Sequence, residues 1–154
     1  MHTLPHRHLT TLTLDVDFAG VIGIGAVREG MRGIAQVTGG RCEGERLAGR
    51  VIGGYDWFTR RADGTLAIDV RLTLETVDGV PVVLRYQGHM LGSPETMAMF
   101  RRGEKLTKGY RLEIVARFEA GDERYAWLND LIVVGIGEQT ATGPIYHLFE
   151  IGGP

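Results

Sequence analysis

Cysteine is nearly absent: Cys42 is the only one in 154 residues, which excludes an internal disulfide and any cysteine-built metal centre. An excess of either charge is also missing. Lys and Arg total 17 against 19 Asp and Glu, a net charge of -2, so bulk electrostatics points to neither a nucleic acid nor a membrane surface as partner. No stretch approaches the roughly 20 apolar residues of a membrane-spanning helix. The N-terminal MHTLPHRHLTTLTLDVDF lacks the apolar core of a signal peptide, and the expectation is a cytoplasmic protein. No serine nucleophile elbow, zinc motif or Walker loop occurs. Cys42 lies in Gly40-Arg-Cys-Glu-Gly with no histidine nearby, an unfavourable setting for a nucleophile. His2, His6 and His8 crowd one end without a fourth ligand and read as part of a frayed segment over residues 1–8, not as a metal site. Neither metal nor cofactor is expected.

Glycine, by contrast, is abundant at 23 residues, without a collagen-like period or a serine-rich linker beside it. The glycines punctuate short alternating runs. In the clearest, Leu66, Ile68, Val70, Leu72 and Leu74 share one face while Ala67, Asp69, Arg71, Thr73 and Glu75 share the other, the period of two of a half-buried strand. Asp78-Gly79 then predicts a tight hairpin turn into a strand over 80–87, and Asp63-Gly64 does the same upstream. Further strands are expected near 9–18, 34–38, 49–52, 57–61, 110–118, 131–136 and 145–151. Eight or nine strands at regular spacing in one domain predict an all-β, antiparallel barrel or sandwich. One short helix is expected over 93–102, capped by Ser93 with Pro94 and Glu95 in its first turn.

Ile22-Gly-Ile-Gly-Ala resembles part of a dinucleotide fingerprint, but its third glycine is misplaced and no helical pattern follows. Val134-Gly-Ile-Gly137 reads as a bulge or a crowded packing site. Three other groups could carry chemistry. Gly53-Gly54-Tyr55-Asp56-Trp57 sets a carboxylate beside an indole at an expected turn, Arg71 lies on the polar face of its strand, and Tyr125, Trp127 and Asn129 would share one side of an extended segment. Each also has a plain structural explanation: a self-capped turn, a solvated charge ladder and a closed barrel end.

The runs TGGRCEGERLAGRVIGGYDW, ADGTLAIDVRLTLETVDGV and FEAGDERYAWLN, in that order, resemble the domain of unknown function (DUF) 3237 family from about Gly20 to Ile151. The resemblance implies a small β-barrel of lipocalin-like shape, often oligomeric, from a family without an established activity. The family's recurrent positions fall on Thr38, Gly39, Gly40, Gly44, Gly54, Asp56, Trp57, Arg71, Asp78, Gly79, Tyr125, Trp127 and Asn129. The chain departs from the pattern over Leu91–Lys108 and at Tyr110-Arg-Leu-Glu113.

An acid, a guanidinium, a phenol and an amide among these positions point to a shared pocket for a small molecule. One expectation is a cofactor-independent isomerase, cyclase or lyase/hydratase acting on a carbonyl-bearing or aromatic metabolite. Asp56 would then be general base, Arg71 and Tyr125 oxyanion stabilisers, Asn129 an orienting amide, and Trp57 and Trp127 walls. The alternatives are a lipocalin-like binding protein that uses the same residues without converting its ligand, and a structural oligomerisation domain.

Overall fold

The computed structural model describes residues 2–152. Nine strands form one sheet in which every pairing is antiparallel: β1 (His6–Val27), β2 (Gly30–Glu43), β3 (Gly49–Asp56), β4 (Thr59–Arg60), β5 (Leu66–Thr76), β6 (Pro81–Gly92), β7 (Tyr110–Ala120), β8 (Val133–Gln139) and β9 (Pro144–Ile151). Neighbours run β1-β9-β8-β7-β6-β5-β3-β2, and β1 pairs with β2 as well as β9, so the sheet closes on itself as a barrel-like ring. The short β4 bridges β2 and β5. Closure removes the exposed edges that an open sheet would present.

Alternation decides what the ring encloses. The face carrying Ile68, Val70, Leu72 and Leu74 is buried, joined by Val82, Leu84 and Tyr86 from β6 and Leu112, Ile114, Ala116 and Phe118 from β7. The polar face of β5, including Asp69 and Arg71, therefore looks outward. The expected turns at Asp63-Gly64 and Asp78-Gly79 are present; Gly79 has φ +84° and its N–H donates to Thr76 O. Gly53, expected in a turn, instead sits inside β3 at a register shift against β5 with φ +148°, a bulge that re-aims the following residues. Helix α1 (Pro94–Arg101) begins as expected, with the Ser93 hydroxyl accepting from the Thr96 N–H.

Three segments differ from the sequence reading. His6, Arg7 and His8 pair with Ile151, Glu150 and Phe149, so the chain is anchored from His6 instead of fraying to residue 8. Strand β1 continues through Ile22-Gly-Ile-Gly-Ala to Val27, making with β2 a hairpin arm whose Ile22, Ile24 and Met31 are exposed. The run Arg124–Asn129, which would set Tyr125, Trp127 and Asn129 on one side if extended, lies instead in a 3₁₀ helix (Glu123–Asp130) capped by Asp122, whose carboxylate accepts from the Arg124 N–H. Its buried Leu128 plugs the core there. No helix among the described residues is long and apolar enough to cross a membrane.

Candidate functional site

The ring holds a cavity of about 650 Å³, within the usual range for small-molecule sites. Its walls are mainly apolar, among them Val16, Val37, Phe58, Ile68, Val70, Met90 and Leu112. Five polar side chains interrupt them, each from a different strand: Asp56 (β3), Arg60 (β4), Tyr86 (β6), Gln139 (β8) and Tyr146 (β9). Toward solvent the mouth is rimmed by exposed Arg101 at the end of α1 and Gly103 to Lys105 just after it, and by the β8–β9 turn at Thr140 and Ala141.

Register explains how Asp56 enters this space. It pairs with Val70, which pairs with Tyr86, so all three share a row on the inner face. Tyr55 and Trp57, its sequence neighbours, consequently point out and are 48% and 51% exposed. The corner is pinned by the backbone: Trp57 N–H donates to Asp69 O at 2.8 Å, and Gly33 N–H donates to Phe58 O at 3.0 Å. Arg32 Nη1 adds a hydrogen bond to Trp57 O at 2.6 Å. Among the described residues the Asp56 carboxylate accepts a single hydrogen bond, 3.1 Å from the Asp69 N–H.

Burial pushes the Asp56 carboxyl up to about 7; the Asp69 N–H and the Arg32 charge pull the other way, while the Asp69 charge adds to the rise. Such a group can give or take a proton near neutrality. Tyr86 and Tyr146 meet edge to face, with ring centroids 5.3 Å apart at 62°. Both phenols are held above their ordinary value, first by burial and also by the Asp56 charge, and stay protonated as hydrogen-bond donors. Gly137 makes room for this pair: a Cβ there would lie 2.8 Å from Tyr146 Cε1 and 2.7 Å from Leu112 Cδ2. Arg60 is partly buried, and its Nε is buried without a hydrogen-bond partner. Burial, then the nearby Arg101 charge, lowers its pKa.

Of the six residues expected to form one site, only Asp56 lines this cavity. Arg71 lies outside, between Tyr55 and Arg85 across the sheet, because its neighbours Val70 and Leu72 fill the core. Trp57 is on the outer face of the Asp56 corner. Tyr125, Trp127 and Asn129 belong to the 3₁₀ helix, where each has a local partner. Tyr125 OH donates to Asp78 Oδ1 at 2.6 Å, Trp127 Nε1 donates to Arg124 O at 3.2 Å under the Arg46 guanidinium, and Asn129 bonds Ala120 through both its N–H and its C=O. Arg71, Tyr125, Trp57, Trp127 and Asn129 thus do not surround Asp56. Sequence reasoning missed Tyr86, Tyr146 and Arg60; the one signal for Tyr86 was its inward parity with Val82 and Leu84. Cys42 is buried, which lifts its thiol to about 11.

Comparisons agree with this architecture. A UPF0311 protein of Bradyrhizobium diazoefficiens is 30% identical over 154 residues, covering 97% of each chain. The hydroalkoxylation enzyme phnH of Penicillium herquei is 27% identical over 106 residues, 68% of this chain and 56% of that protein. Among solved structures, a β-barrel-like protein from Acinetobacter baumannii shares 31% identity with a TM-score of 0.84, over 99% of this chain and 98% of that one. Residues 6–151 match the family described as "Protein of unknown function (DUF3237)", and the chain belongs to that family.

Proposed function

We infer that the cavity is the active site of a cofactor-independent enzyme in which Asp56 moves a proton on a small carbonyl-bearing or aromatic substrate. The observation that carries this is a single carboxyl group deep among apolar walls, beside two buried phenols. Asp56 takes the proton from a carbon or hydroxyl next to the polarised oxygen, and Tyr86 and Tyr146 donate hydrogen bonds to the oxygen that gains charge. Return of the proton from Asp56 to another atom completes an isomerisation; when a hydroxyl of the substrate adds to its own double bond, the same transfers give a cyclic ether. The relative phnH, a hydroalkoxylation enzyme, lends support to that second outcome. Arg71 and Tyr125 have no part in this scheme.

The test is deuterium exchange of 2-tetralone, an aromatic ketone small enough for the cavity, followed by NMR in D₂O. Wild type is expected to exchange the α-protons about 10²- to 10⁴-fold faster than Asp56→Asn, with both proteins binding the ketone. Equal exchange rates at saturation would refute the assignment. Apolar lining alone also favours a binding protein without turnover, and a ligand bound tightly with no Asp56-dependent exchange would establish that reading instead. We also propose that the chain is a homo-oligomer packed through the exposed apolar arm of β1 and β2.

A further inference from the structure

At the cavity mouth and just inside it the structure presents an excess of positive charge, with Arg60 near enough to the rim to feel the charge of Arg101. Arg60, Arg101 and Lys105 all line the cavity. None forms an ion pair among the described residues. The one carboxylate on this rim, Glu104, is engaged by Arg102. Arg60 is the most telling, since its Nε is desolvated and unpartnered, an arrangement that costs free energy unless a ligand completes it. Arginine's planar fork is suited to a delocalised oxyanion. Below the mouth the walls are apolar, and the deep carboxyl of Asp56 would repel a second negative charge placed beside it.

We propose that the ligand is an amphipathic organic monoanion whose oxyanion head is held at the mouth by Arg60, Arg101 and Lys105 while its apolar body fills the cavity toward Asp56. This rests on the cavity being the ligand site and is independent of the proton chemistry assigned to Asp56. The head fixes which end of the molecule reaches the phenols, so the arginines and the lysine set orientation and specificity, and the reacting atom belongs to the uncharged body.

The experiment compares two fluorescent probes sharing one aromatic body. 8-Anilinonaphthalene-1-sulfonate carries an anionic head and N-phenyl-1-naphthylamine does not. In Arg60→Gln the ratio of their affinities, anion over neutral, is expected to fall about tenfold or more, equivalent to about 1.4 kcal/mol. The neutral probe should keep its affinity within about twofold. The exposed pair Arg101→Gln/Lys105→Gln, which leaves the fold's interior untouched, should lower the ratio several-fold, and 0.5 M salt should reproduce that loss in wild type by screening. An unchanged ratio in both variants would overturn the anion site while leaving the Asp56 reading intact. Failure of the anionic probe alone to bind wild type would overturn the anion site, and failure of both probes would overturn both readings together. A lowered ratio with no Asp56-dependent ketone exchange would support the anion site and refute only the proton chemistry.

Discussion

Asp56→Asn is expected to stabilise the protein above neutral pH, in direct proportion to how strongly the cavity resists a charge. The carboxyl rises from its ordinary 3.8 to about 7, roughly three units, and each unit is worth about 1.36 kcal/mol between protonation states. The ceiling is therefore about 4 kcal/mol, and openness of the cavity to solvent brings the expected value to about 2–4 kcal/mol. Between about pH 4 and pH 7 the folded protein keeps a proton that the unfolded chain releases. In this window wild-type stability accordingly falls as pH rises, and above it the full penalty is present. Asparagine carries no such penalty and retains the oxygen that accepts from the Asp69 N–H. Urea melts of both proteins at pH 4.5, 6 and 8 cancel every other titrating group in their difference. Asp56→Asn should gain no more than about 1 kcal/mol over wild type at pH 4.5 and be the more stable protein by about 2–4 kcal/mol at pH 8, on the order of 10 °C in Tm for a domain of this size. A difference that does not vary with pH, or one that favours wild type increasingly as pH rises, would refute the claim that Asp56 is buried at a functional cost.

Other perturbations test the surroundings. Gly33→Ala would set a methyl group 2.3 Å from Phe58 Cζ, driving that ring toward the cavity; affinity for N-phenyl-1-naphthylamine should drop several-fold in a fluorescence titration, at a stability cost of about 1–3 kcal/mol. Glu150 is buried, yet hydrogen bonds from Arg7 and Arg46 overcome its burial and hold its pKa below the ordinary value. Its contribution is present above that ordinary value and lost as pH falls through the folded one. Glu150→Gln should thus cost about 1–3 kcal/mol at pH 7, with the gap to wild type closing in acid denaturation curves. Ile22→Glu combined with Ile24→Glu, at 58% and 55% exposed positions of the arm, should shift the particle to monomer mass in light scattering while leaving neutral-probe binding unchanged.

The strand pattern of the ring was legible because period-two alternation is a local signal: β5 shows it along its length, and the turn that leads from it into β6 carries at Gly79 the glycine that a positive φ favours. The arm of β1 was not, since its glycines at 23 and 25 look like punctuation but lie in a strand whose pairing with β2 is broken by register shifts. The 3₁₀ helix was hidden for a similar reason. Tyr125, Trp127 and Asn129 fall at alternate positions that would share one side of an extended segment, and only the Asp122 cap and the buried Leu128 mark the tighter winding.

The candidate site turned on parity between strands, which no single strand encodes. Val70 was readable as inward from β5 alone. Had the pairing of Asp56 with Val70 and of Tyr55 with Arg71 been known, the same parity would have sent Asp56 in and Arg71 out. The bulge at Gly53 shifts that register by one residue between Val51 and Asp56, so counting along β3 from its buried Val51 gives the wrong face for an uninterrupted strand. Asp56, five residues on, would then point outward; the inserted residue turns it inward. Asp56, Arg60, Tyr86 and Tyr146 are then brought to one cavity by closure of the ring, one from each of four strands spread over 90 residues of sequence. A site assembled this way has no motif, and its chemistry depends on a single glycine that sets which face of β3 is wet.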